Sequence, residues 1–128
     1  MKCLVKVEKF NQMIEEEVVV NVNGQLLRCF MSYLDDLVIE AGKEYYANIE
    51  YEIYNDFSIE EVNEELRKIE CVNESFSYDI IGKLNIDKCK LESSINIEID
   101  EDDIYEFGGY DNKYIRFRVD RFNIEFIE

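Results

Sequence analysis

The sequence has no histidine, no proline and only five glycines in 128 residues. Each shortage closes a class of reading. Without histidine the chain lacks the commonest general base, the Ser-His and Cys-His nucleophile pairs and the nitrogen ligand of the usual mixed zinc site. Without proline, and with so little glycine, it has no Pro-rich spacer, Gly/Ser tether or collagen-like repeat. Its one Gly-Gly pair, Gly108-Gly109, precedes no Lys-Ser or Lys-Thr, so no phosphate-cradling loop is encoded. No apolar run approaches the ~18 residues of a membrane span. The N-terminal stretch has no apolar core of a secretory signal. Four cysteines, Cys3, Cys29, Cys71 and Cys89, are scattered without a C-x-x-C pair. They are read as reduced thiols of a cytoplasmic protein, with Cys3 and Cys29 as small buried hydrophobes in strands.

Basic residues are also scarce: 14 against 30 acids, for a net charge of −16. That balance disfavours DNA, RNA and anionic lipid, because like charges meet. It suits a basic protein partner, which it would draw in quickly. The plainer alternative is a solvated surface that keeps the protein soluble. The charge is uneven: +2 over residues 1–13, −12 over 14–66, −7 over 75–112 and +1 over 113–128.

What is present is core material. The apolar fraction is 47%, with nine Tyr and eight Phe. A chain of this length buries roughly two-thirds of its unfolded surface, enough for one core without staples. One β-rich domain over 1–128 is expected, with no visible boundary or internal repeat.

Alternation dominates the pattern. In residues 2–10, Cys3, Val5 and Val7 share one face, and Leu4 and Phe10 fall on the other. Val18, Val20 and Val22 lead to Asn23-Gly24, and Leu27, Cys29 and Met31 lead away. Asn-Gly is the preferred two-residue type I′ turn, because both positions need positive φ. Closing on it sets Val20 opposite Leu27 and Val18 opposite Cys29, so register and apolar pattern agree. Residues 33–41 read as a short turn or helix. After Gly42, the core set Tyr45, Ala47, Ile49, Tyr51 and Ile53 alternates with an outward set of Tyr46, Asn48, Glu50, Glu52 and Tyr54.

Ser58-Ile59-Glu60-Glu61 spells a capping box. Ile59, Val62, Leu66 and Ile69 then form one helical stripe, with Arg67 and Lys68 in the last turn. A helix is therefore expected at about 58–69. Strands return with Phe76, Tyr78, Ile80, Leu84 and Ile86 across Gly82, which reads as a bulge or bend. Ile95, Ile97 and Ile99 make a short strand. Ile115, Phe117 and Val119 then shift phase to Phe122, Ile124 and Phe126, as at a β-bulge. The fold class read from this is mainly β, a β-rich α+β arrangement. Six to seven antiparallel strands would form a coiled sheet or partly closed barrel of the five-stranded Greek-key (OB-like) kind. The likeness is architectural and carries no function.

Candidate sites are few. Cys89, between Lys88 and Lys90, is the one thiol with electropositive neighbours. Its plainer reading is a loop thiol beside solvated lysines. The run Asp100-Glu101-Asp102-Asp103 offers hard oxygens to Ca²⁺, but Ile104 breaks the EF-hand spacing. Joined to Tyr105, Phe107 and Tyr110, the run resembles a protein-binding surface, with rigid rings for area and carboxylates for steering. The alternative places those rings in the core. Tyr46, Glu50, Glu52 and Tyr54 form a second candidate surface. Arg116 and Arg118 face outward, to pair with Glu50 and Glu52 across a sheet or to grip an anion.

The expectation is a non-enzymatic acidic binding protein, such as an inhibitor or immunity-type protein covering a basic nuclease toxin. It would use no metal and no cofactor, bind neither nucleic acid nor membrane, and exist as a monomer or edge-paired dimer. The alternatives are a small-ligand or accessory module using the barrel mouth, and a hydrolase built on carboxylates alone. The last requires an Asp or Glu with a strongly raised pKa in a cleft.

Overall fold

A computed structural model describes residues 1–31 and 38–127. The chain divides into two compact units: residues 1–52 with 121–128, and residues 53–120. The second is spliced into the first between two strands.

The first unit is a closed barrel of β1 (Lys2–Phe10), β2 (Glu17–Val22), β3 (Gln25–Met31), β4 (Glu44–Glu52) and β11 (Arg121–Ile127), in the ring order β1-β2-β3-β11-β4. Strand directions cannot alternate all the way round a ring of five. One neighbouring pair must be parallel, and it is β3 with β11. Each strand turns its alternate apolar residues inward: Val5 and Val7, Val18 and Val20, Leu27 and Cys29, Ala47 and Ile49, Phe122 and Ile124 are all buried. Small sits opposite large where Ala47 pairs with Phe126.

The β2–β3 hairpin closes in the expected register, with Val20 opposite Leu27 and Val18 opposite Cys29. Asn23 and Gly24 both have positive φ, as a type I′ turn requires. The β1–β2 register slips between Val7 and Lys9. The extra residue sets Phe10 opposite Val18, and Phe10 stays exposed at 37%, as Leu4 does at 46%.

The second unit contains β5 (Ser58–Glu61), β6 (Lys68–Cys71), β7 (Tyr78–Asn85), β8 (Lys90–Glu92), β9 (Asn96–Glu98) and β10 (Tyr114–Val119). The sheet order is β5-β10-β7-β8-β9, and β6 also pairs with β7. A 3₁₀ helix, Glu101–Phe107, follows β9. Its partner pairs are antiparallel throughout.

Three expectations need correction. The helix at about 58–69 is absent; that stretch supplies two short strands, β5 and β6. A helix of a dozen residues is marginal on its own signals. Extended, the same residues set Ile59 opposite Phe117, Glu60 opposite Arg116 and Ile69 opposite Ile80. Tertiary pairing outweighs the capping box. The phase change after Val119 is likewise no bulge within one strand. Asp120 lies between β10 and β11, where the chain leaves one sheet for the other. Gly82 marks no register shift, since Ile115–Gly82 continues the β10–β7 ladder. Instead it lets main chain approach: a Cβ there would sit 2.2 Å from the Glu92 carbonyl oxygen. The turn or helix read over 33–41 falls largely on residues 32–37, outside the described residues.

Candidate functional site

The acidic run is built around the 3₁₀ helix. Asp100 is its N-cap, with an extended backbone and a side chain that accepts from the Asp102 N–H at 3.0 Å. Glu101, Asp102 and Asp103 fill the first turn, where the helix dipole favours anions. Residues three apart eclipse in a 3₁₀ helix. Ile104 is accordingly half-buried and Phe107 fully buried, while Glu101, Asp102, Tyr105 and Glu106 are exposed. Phe107 stands edge-on to Phe117 at 5.0 Å and to Phe57 at 6.2 Å, and Phe57 stacks on Phe117 at 6.0 Å. Truncating a buried Phe of this kind costs about 3–5 kcal/mol, so Phe107 is core and no contact residue.

Tyr105 is the opposite case, 89% exposed. Tyr110 is half-buried beyond the helix, and its N–H donates to the Phe107 carbonyl at 3.0 Å. Of the three rings expected to share a surface, the fold therefore sends one outward, one inward and one to the margin. No group of three or more Cys, Asp or Glu residues able to hold a metal ion occurs among the described residues.

Four of the eight bases of the same unit make ion pairs in or beside its sheet. Arg118 donates to both carboxylate oxygens of Asp79, at 2.8 and 3.0 Å. Arg116 pairs with Glu60, its register partner on β5. Lys113 reaches Glu61 at 3.5 Å and Lys68 reaches Glu70 at 2.9 Å. Cross-strand pairing of Arg116 and Arg118 thus holds, but with Glu60 and Asp79 in place of Glu50 and Glu52. By contrast, residues 91–112 carry eight acids and no base. Cys89 is half-buried with positive φ, in the turn joining β7 to β8.

The second candidate surface divides. Tyr46, Glu50 and Glu52 lie on the outward face of β4, and Lys2 Nζ stands 5.6 Å over the Tyr46 ring. Tyr54 lies past the strand in the second unit, where its N–H donates to the Asp120 carboxylate at 2.7 Å. Glu52 Oε2 accepts from Asn123 Nδ2 and Arg121 Nε, both at 2.8 Å. The Asn123 hydrogen bond, then Arg121, holds the Glu52 carboxyl below its ordinary pKa. The Arg121 guanidinium sits 4.0 Å from the Phe30 ring centre. This arrangement locks Glu52 as a structural anion. Its partners are 69 and 71 positions away, beyond the reach of any local pattern.

A family model described as Uncharacterised conserved protein UCP019853 matches residues 1–127, so it takes in both units. The chain belongs to this family. No curated protein and no solved structure matches it. In this family member the Glu52 carboxyl is shifted down, the opposite direction from the raised pKa that a general acid needs.

Proposed function

We propose that the protein is a non-enzymatic binding protein that engages a basic protein partner, in the manner of an inhibitor or immunity protein covering the positive cleft of a nuclease or similar toxin. The observation that carries this reading is the separation of charge in the second unit. Lys68, Lys113, Arg116 and Arg118 are committed to sheet ion pairs. The segment 91–112 keeps eight acids with no base among them. Glu101, Asp102, Glu106 and Tyr105 project from its short helix into solvent. Such a surface steers a cationic partner and offers an aromatic contact at its centre. The barrel's inward side chains, such as Val7, Leu27 and Phe122, are buried, as in a small barrel packed by its own side chains, which favours this reading over a small-ligand module.

The test is affinity capture from a native cell extract at low and then high salt, with the eluate identified by mass. The purified partner is then titrated by calorimetry. The reading expects one stoichiometric basic protein, released by salt. It also expects the triple variant Glu101→Gln/Asp102→Asn/Glu106→Gln to bind more slowly and with a shallower salt dependence. An empty eluate, or a partner held equally at every salt concentration, refutes it.

A further inference from the structure

The loop between β1 and β2 is pinned from within. Asn11 Oδ1 accepts from the N–H groups of Met13 and Ile14, at 2.8 and 3.2 Å. Asn11 Nδ2 donates to Glu17 Oε2 at 2.8 Å, and Glu17 Oε1 stands 3.2 Å from Arg28 Nε. The Glu17 N–H closes back on the Ile14 carbonyl at 3.2 Å, and the Met31 N–H donates to the Glu16 carbonyl at 2.6 Å. The loop is therefore tied to itself, to β2 and to β3. Yet the side chains it displays include apolar ones: Met13 is 92% exposed and Ile14 42%, next to Phe10 at the end of β1, 37% exposed. Met13, held out almost fully exposed on a tied-down loop, is poorly explained by stability, since it gains almost no burial there.

The charges beside them select the partner. Glu17 is spent on Arg28 and Asn11, while Glu15 and Glu16 are exposed and make no ion pair among the described residues. The bases near it are Lys9, which precedes Phe10, and Arg28, which is paired with Glu17. An apolar tip rimmed by carboxylates complements an apolar pocket rimmed by Lys or Arg. Pre-ordering of the loop lowers the entropic cost of inserting it.

We propose that the Phe10–Glu16 loop is a contact anchor of this protein, with Met13 and Ile14 entering an apolar, basic-rimmed pocket of a partner protein. This rests on the binding-protein reading above and adds to it a second contact, on the barrel unit. A second copy of the chain, acidic in the same place, is the wrong occupant.

The test uses the full chain with Met13→benzoylphenylalanine, irradiated in the native extract, the cross-linked peptide being sequenced. The expected product is a single adduct with the salt-released basic protein, at a peptide that places apolar residues beside Lys or Arg. Met13→Ser/Ile14→Ser should weaken binding of that purified protein at least tenfold while leaving the thermal midpoint unchanged. A partner that binds this variant as tightly as wild type overturns the anchor and leaves the binding-protein reading standing. A chain-to-chain adduct, or no adduct, overturns the anchor as well. Failure to capture any basic protein removes both.

Discussion

Replacing Gly82 with alanine should damage the second unit far more than the single added methyl suggests. The new Cβ would sit 2.2 Å from the Glu92 carbonyl oxygen, 2.8 Å from its carbon and 3.1 Å from Ser93 Cα. Carbon and oxygen normally approach no closer than about 3.3 Å, so the overlap is about 1 Å, and it is against main chain that no rotamer change can move. The end of β8 must shift, and Ser93 goes with it. Ser93 Oγ donates to the buried Ile81 carbonyl at 2.6 Å. Overpacking costs about 1–3 kcal/mol and leaving such a group unsatisfied about 1–3 kcal/mol. Against this, the stiffer unfolded chain returns about 0.5–1 kcal/mol. The net is a loss of about 1–5.5 kcal/mol, centred near about 3 kcal/mol. With an unfolding entropy of about 2.1 cal/mol/K per residue, the midpoint falls by about 4–20 °C. The assay is thermal and urea denaturation followed by circular dichroism. Gly109→Ala, whose Cβ would meet nothing within 4 Å, is the control and should stay within about 0.5 kcal/mol of wild type. If Gly82→Ala also lies within about 1 kcal/mol of wild type, the close-approach reasoning fails.

Two further outcomes follow from charge. Glu52 has a folded-state pKa below its unfolded value, so its contribution is fully present above about pH 4.3 and is lost as pH falls through the lower, folded value. Glu52→Gln should therefore flatten the acid limb of the stability–pH curve; an unchanged limb in urea melts from about pH 5 to pH 2 refutes the assignment. Raising sodium chloride from about 0.02 to about 0.5 M should raise the thermal midpoint by a few degrees, because screening relieves the self-repulsion of a −16 chain more than it weakens exposed ion pairs. A falling midpoint would mean that the sheet ion pairs dominate.

Local features of this fold were legible in the sequence and long-range ones were not. The β2–β3 hairpin needs only Asn23-Gly24 and the valines and apolar residues beside it, and both its register and its turn came out as expected. The barrel closes through β11 on β3 and β4, strands far away in the chain, and no spacing rule announces a parallel partner. Residues 58–69 carry a capping box and a helical stripe and still supply two short strands, because what decides them is Phe117 and Ile80 across the sheet. The phase change near Asp120 was visible, but one residue out of phase looks the same whether a strand bulges or the chain passes to another sheet. The candidate site divided along the same line. The acids stood in the open, yet the separation of Tyr105 from Phe107 depends on which side of a short helix meets Phe57 and Phe117.

That separation bears on how the acidity should be understood. A purely solubilising surface needs net charge and is indifferent to where it lies. Here Arg116 and Arg118 of the second unit are set opposite acids on neighbouring strands, and Lys113 reaches Glu61. Exposed pairs of this kind are worth only about 0–1 kcal/mol each, so their stabilising effect gives little reason for the arrangement. Its larger effect is electrostatic. The segment that carries Tyr105 keeps eight acids and no base of its own beside these sheet pairs, and on the barrel Glu15 and Glu16 stand beside Met13 while Glu17 is paired with Arg28. In both units, then, uncompensated carboxylates sit next to a side chain that gains nothing by exposure. Solubility alone predicts no such pairing of acid with exposed apolar or aromatic surface; a basic partner with pockets to fill predicts both.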